Sequence, residues 1–232
     1  MAEPALPGKD IVGEQDPRPP GKELTAGALL QVFGGGKGLF DSSAPSLVFV
    51  GVRLFASLNA AIVASVVAGL VVVALRSARG ESRQQAFGGF FGLLLAVLIS
   101  RSTGTGKGFF LPGIVLTAAS GVVFGASLLA RRPVVGLALA GFDERFASWR
   151  EEPLLVRACS RATFVWMVSF FVRAAVATTV ALSVGDGAGD NVVLLVVINA
   201  VKWPLIIGSA LYTVAVVKAA DAAVQEQAAR PT

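Results

Sequence analysis

Long apolar runs, broken by short basic or glycine-rich segments, set the pattern of the chain. From Pro45 to Leu75, 31 residues are interrupted only by Arg53 and Asn59 among strongly polar types. One helix of that length would be ~46 Å long, too long for a ~30 Å hydrocarbon core without strong tilt, and two full spans do not fit. The pattern therefore predicts a short or re-entrant first element at 45–57 and a second at 59–75, with Ser57 or Asn59 as the cap. Further apolar elements fall at 85–100, 109–130, 162–182 and 192–217. Val134 to Gly141 is apolar but too short to span. Phe142 to Cys159 mixes Arg145, Arg150 and Arg157 with four acids and with Phe146, Trp149, Leu154 and Leu155. That mixture predicts an amphipathic, cytoplasmic interfacial segment. The expected fold is all-α: a polytopic transmembrane helix bundle of five to six spans.

The boundaries follow from polarity. Residues 1–23 contain five prolines and mixed charges, and are expected to be a disordered tail. Residues 24–33 suit a short interfacial helix stopped by Gly34-Gly35-Gly36, and Asp41-Ser42-Ser43 offers a helix start. The integral membrane domain is expected at 24–219 and a polar C-terminal tail at 220–232. Residues 1–22 hold no apolar stretch of the kind that makes a secretory signal.

Charge then orients the elements. Arg76, Arg79 and Arg83 oppose a single Glu81 in one short loop, and Arg131, Arg132, Arg157 and Arg161 cluster in another region. Both are cytoplasmic by the positive-inside rule. Ser183 to Asn191 carries no Lys or Arg and is expected outside, as is the Arg101–Gly108 loop. This gives a multi-pass protein of the plasma membrane with a cytoplasmic C-terminus. The N-terminus is cytoplasmic if the first element crosses and external if it is re-entrant.

Composition agrees with this picture. The chain is 54% hydrophobic and 15% charged, with mean hydropathy +0.72. A soluble domain carries roughly 25% charged residues. The net charge of +5 reads as topology and lipid contact rather than nucleic-acid binding. Histidine is absent and Cys159 is the single cysteine, which leaves no His-based acid–base chemistry, zinc site or intrachain disulfide. Cys159 lies among Arg157, Ser160 and Arg161, but with no base or second thiol nearby it reads as a small helix residue. Gly104-Thr105-Gly106-Lys107-Gly108 lacks the spacing of a phosphate loop and follows no strand. No paired carboxylates or nucleophile–base sets fall in the apolar segments, so no enzyme, cofactor or metal is expected.

One anomaly remains. Arg53, Arg173 and Lys202 lie inside apolar segments, and no carboxylate does. A charge at mid-bilayer costs ~2.5–3.5 kcal/mol on insertion scales, and intramembrane cations are functional candidates. Arg173 lies ten residues before Ser183, and Lys202 eleven after Asn191. In an antiparallel hairpin both sit ~15 Å below one surface, near the midplane. Pro204 frees a carbonyl near Ala200 and kinks its helix, and Asn199 shares a helix face with Lys202. Two readings stand. Arg173, Lys202, Asn199 and Arg53 form a site for a small anion or an anionic lipid head group, or the cations snorkel or pair with carbonyls and fix helix packing. Gly88-x-x-x-Gly92 and Gly121-x-x-x-Gly125 offer close helix approach, within the chain or to a homo-oligomeric or membrane-protein partner.

Four short runs carry a family resemblance. They are Asp41-Ser42-Ser43-Ala44-Pro45, Ser82-Arg83-Gln84-Gln85-Ala86, Phe109-Phe110-Leu111-Pro112-Gly113 and Arg131-Arg132-Pro133. Together, over 24–219, the chain resembles an actinobacterial integral membrane family of unknown function. The resemblance implies a link to ion homeostasis, since genes of that family often neighbour potassium-uptake regulators. In layout the chain is similar, more distantly, to the intracellular septation protein A inner-membrane family, which implies a role in the cell envelope. Two functions are thus in view: binding or passage of a small ion or anionic lipid through a cationic intramembrane site, or a non-transporting envelope organiser acting through helix partners.

Overall fold

The computed structural model describes residues 35–80, 83–143 and 146–228. Among them are seven α-helices: α1 (Gly35–Phe55), α2 (Leu58–Ala78), α3 (Arg83–Thr103), α4 (Leu111–Leu129), α5 (Val134–Phe142), α6 (Pro153–Ser183) and α7 (Ala188–Ala228). A 3-10 turn, Lys107–Phe109, leads into α4. By length and composition four helical stretches can cross a membrane: α2, Lys107–Leu129, α6 and Ala188–Gln227. Ser43–Phe55 and Gly89–Thr103 are shorter apolar helices. The interfacial helix expected at 24–33 lies outside the described residues.

The break expected near Ser57 is present. Ser57 takes extended backbone angles and its hydroxyl accepts from the Ala60 amide at 3.3 Å, so it, not Asn59, caps α2. Upstream, α1 runs back to Gly35, through the residues where a glycine stop and a new helix start were expected, with Pro45 inside it. At 21 residues it is ~31 Å long. Pro112 sits in the first turn of α4, where its missing N–H costs nothing. The other end of α4 explains Arg131-Arg132-Pro133. Arg131 adopts φ 54°, its amide reaches Leu128 O, and the Arg132 amide reaches back to Ser127 O at 2.8 Å. This is a Schellman stop, and Pro133 prevents the helix from resuming.

Two boundaries differ from the sequence pattern. The segment expected to be interfacial up to Cys159 is helical from Pro153 and continuous with the next span as α6, and α7 continues through the expected tail to Ala228. The cause is packing. Leu155, Cys159 and Trp166 from α6 form one buried cluster with Val217 and Val224 of α7, Val135 and Leu139 of α5, and Phe146 and Trp149. A ring atom of Trp149 lies 2.7 Å from where a Cβ would stand on Gly136, so only glycine admits it. The Val135 amide donates to Thr163 Oγ1 at 3.2 Å, which anchors the start of α5 to α6.

A second cluster occupies the opposite end. Phe49 of α1 stacks on Phe109 at 4.1 Å, and Phe110 meets both edge-on. Ile62, Leu93 and Leu194 complete it. Helix contacts pass from α1 to α2, α3, α4, α6, α7 and back to α1. The pairs α4–α6 and α6–α7 are tightly packed, whereas α3 and α4 touch far less.

Candidate functional site

The ring borders a cavity of about 1390 Å³ that is open on one side. Its wall comes from α1, α3, α4, α6 and α7, and the aromatic cluster of Phe109 and Phe110 borders it at one end. Arg173, Asn199 and Lys202 all line it. Arg173 and Lys202 come from antiparallel neighbours, α6 and α7, which are among the most closely packed pairs in the protein. Counting along each helix, Arg173 lies ~15 Å and Lys202 ~21 Å from the 183–188 turn, both in the middle part of a ~30 Å bilayer core.

Both cations are half-buried. The Arg173 guanidinium lies 5.5 Å from the Phe170 ring centre, and Lys202 Nζ lies 4.7 Å from that of Trp203. Among the described residues neither forms an ion pair or hydrogen bond, and no carboxylate lines the cavity. Asn199 donates one N–H to Leu195 O at 2.8 Å, which leaves its second N–H and its carbonyl oxygen available. Two positive charges and an amide thus line one space, flanked by aromatic faces and mostly apolar side chains, with Ser43, Ser46 and Thr117 as the other polar ones.

Arg53 does not join them. Its guanidinium reaches Ala56 O at 3.4 Å, at the C-terminal end of α1, where a cation offsets the exposed carbonyls. The glycines divide. Positions for a Cβ on Gly121 and Gly125 fall 3.1 Å from the Phe171 ring and 3.2 Å from Met167 Sδ, so these two lie where α4 meets α6. Gly92 instead has nothing within 4 Å and lines the cavity. Gly88 lies in α3, but its surroundings are outside the described residues. Cys159 is buried in the α5–α6–α7 cluster.

Sequence reasoning missed a clasp beside the cavity. Lys107 Nζ donates to Val184 O at 2.9 Å, tying the α3–α4 loop to the α6–α7 turn. Gly106 packs against Asn191, which is fully buried with neither side-chain polar atom hydrogen-bonded. The polarity of Lys107 and Asn191 was visible, but nothing local in the sequence paired two loops nearly eighty positions apart.

A family model described as "Protein of unknown function (DUF3159)" matches residues 33–224, and the chain belongs to that family. No curated protein and no solved structure matches the chain.

Proposed function

We propose that the protein binds an anionic molecule inside the membrane, held between Arg173 and Lys202 with Asn199 as an additional hydrogen-bonding group. The observation that carries this reading is that two cations, and no carboxylate, line one large cavity. Unpaired cations at this depth are costly, and an anion between them offsets both desolvation and their mutual repulsion. Charge-assisted hydrogen bonds to a phosphate or carboxylate contribute ~1.5–3 kcal/mol each. The mid-depth location also suits passage, since an anion there is halfway between the two faces.

The remaining charges support an orientation. Arg76, Arg79, Arg131, Arg132, Arg157 and Arg161 sit at the end shared by the α2–α3 loop, the C-terminus of α4 and the N-terminus of α6. By the positive-inside rule this end, with the C-terminus of α7, faces the cytoplasm.

Calorimetric titration of purified protein in a neutral detergent tests the reading, with dodecyl phosphate as the probe and dodecanol as the uncharged control. Dodecyl phosphate binds the wild type and dodecanol does not. Arg173→Gln and Lys202→Gln each weaken binding about 10- to 100-fold, the equivalent of ~1.4–2.8 kcal/mol. Equal affinity of wild type and the double variant would end the proposal.

A further inference from the structure

We infer that the anion held at Arg173 and Lys202 carries an apolar chain, and that this chain lies along the α3–α4 wall of the cavity, open to the hydrocarbon of the bilayer. The inference rests on the anion-site reading above and deepens it. Four observations carry it.

The first is size. A cavity of about 1390 Å³ exceeds the ~300–1,000 Å³ that holds a drug-sized ligand, so an inorganic ion would leave most of the wall without contacts. The second is the division of polarity. The two cations and Asn199 come from α6 and α7, whereas α3 and α4 contribute Leu95, Ile99, Ile114 and Leu116 among their lining residues. The third is the shape of that wall. Gly89, Gly92 and Gly113 line the cavity, and a Cβ on any of them would meet nothing within 4 Å. These glycines make room inside the cavity rather than close a helix contact. The fourth is access. Leu95, Val115 and Leu116 line the cavity yet are 39%, 64% and 69% exposed, and α3 and α4 touch little along their lengths. At this depth the surroundings are hydrocarbon, which an apolar chain crosses without cost while its head group docks at the cations.

Charge complementarity selects the occupant. Two cations at one end of an apolar groove match a phosphate head on an alkyl chain, as in a lipid phosphate. A cationic or neutral amphiphile meets the groove but not the head site, and free phosphate meets the head site but not the groove.

The test is a titration in neutral detergent with three probes: dodecyl phosphate, inorganic phosphate and dodecyltrimethylammonium. Wild-type protein binds dodecyl phosphate at least tenfold more tightly than inorganic phosphate, and does not bind the ammonium amphiphile. Gly92→Leu fills the groove. It weakens dodecyl phosphate tenfold or more while leaving inorganic phosphate within twofold, and Gly89→Leu does the same should Gly92→Leu fail to fold. A brominated alkyl phosphate quenches Trp203 fluorescence in the wild type, and the quenching disappears in Trp203→Phe. Equal affinity for the two phosphates, or a Gly92→Leu variant unchanged toward both, overturns the chain-binding inference and leaves the anion site standing. Failure of every phosphate probe to bind wild type overturns both.

Discussion

Removing the two cavity cations separates an anion site from a packing device, because the two readings predict opposite signs for stability. In Arg173→Gln/Lys202→Gln, two half-buried charges on one cavity wall are replaced by neutral amides. At an effective dielectric of 20, two unit charges on one cavity wall repel by roughly 1–2 kcal/mol. Each cation also loses a desolvation cost that insertion scales place at ~2.5–3.5 kcal/mol, of which a buried Gln retains a large part. Against this, contacts with the Phe170 and Trp203 rings are lost. Such contacts contribute ~0.5–1 kcal/mol each at exposed sites and about twice that when desolvated. The balance favours the empty double variant by ~2 kcal/mol, or about 4–8 °C in melting temperature for a chain of this size. Ligand reverses the order. At 100 times its Kd an anion stabilises wild type by ~2.7 kcal/mol and leaves the double variant unchanged. The assay is a pair of melting curves for delipidated protein in neutral detergent, with and without dodecyl phosphate. If the double variant melts below wild type without ligand, the cations hold the helices together and the reasoning fails.

Other outcomes follow from neighbouring contacts. Gly121→Leu drives a side chain into Phe171 where α4 meets α6; overpacking of this kind costs ~1–3 kcal/mol. The loss is visible as a lower melting temperature, in contrast to Gly92→Leu, which has open space before it. Lys107→Met removes the bond to Val184 O; hydrogen exchange in 184–190 rises several-fold, and unchanged exchange would show that the clasp does not order that turn. Thr163→Val leaves the Val135 amide at the start of α5 without its acceptor. That costs ~1–3 kcal/mol, measurable in urea or by melting, while anion affinity stays within twofold because Thr163 lies outside the cavity.

Much of the helical frame was legible because its signals are local. Ser57 is a capping residue between two apolar runs, Pro112 suits a first turn, and Pro133 follows the Schellman stop of α4. That Arg173 and Lys202 share one wall was also legible, because an antiparallel hairpin with a short α6–α7 turn brings them within about one helical turn of the same depth. Three things were not. The continuation of α6 back to Pro153 and of α7 out to Ala228 depends on Trp149, Phe146 and Val224 meeting across the fold, and polarity alone marks those stretches as surface. The cavity depends on the sparse packing of α3 against α4, which no local pattern encodes. The glycine motifs look alike in sequence, yet Gly121 and Gly125 face side chains of α6 while Gly92 faces open space. Spacing specifies a smooth helix face but not what stands opposite it.

The central claim is that Arg173 and Lys202 hold an anionic, chain-bearing molecule within the membrane. Native mass spectrometry of the protein extracted from its own membrane in neutral detergent tests it most directly. Wild type is predicted to retain one anionic lipid mass per chain, absent from Arg173→Gln/Lys202→Gln and reduced in Gly92→Leu. Retention of the same lipid by all three, or of none by wild type, would contradict the account.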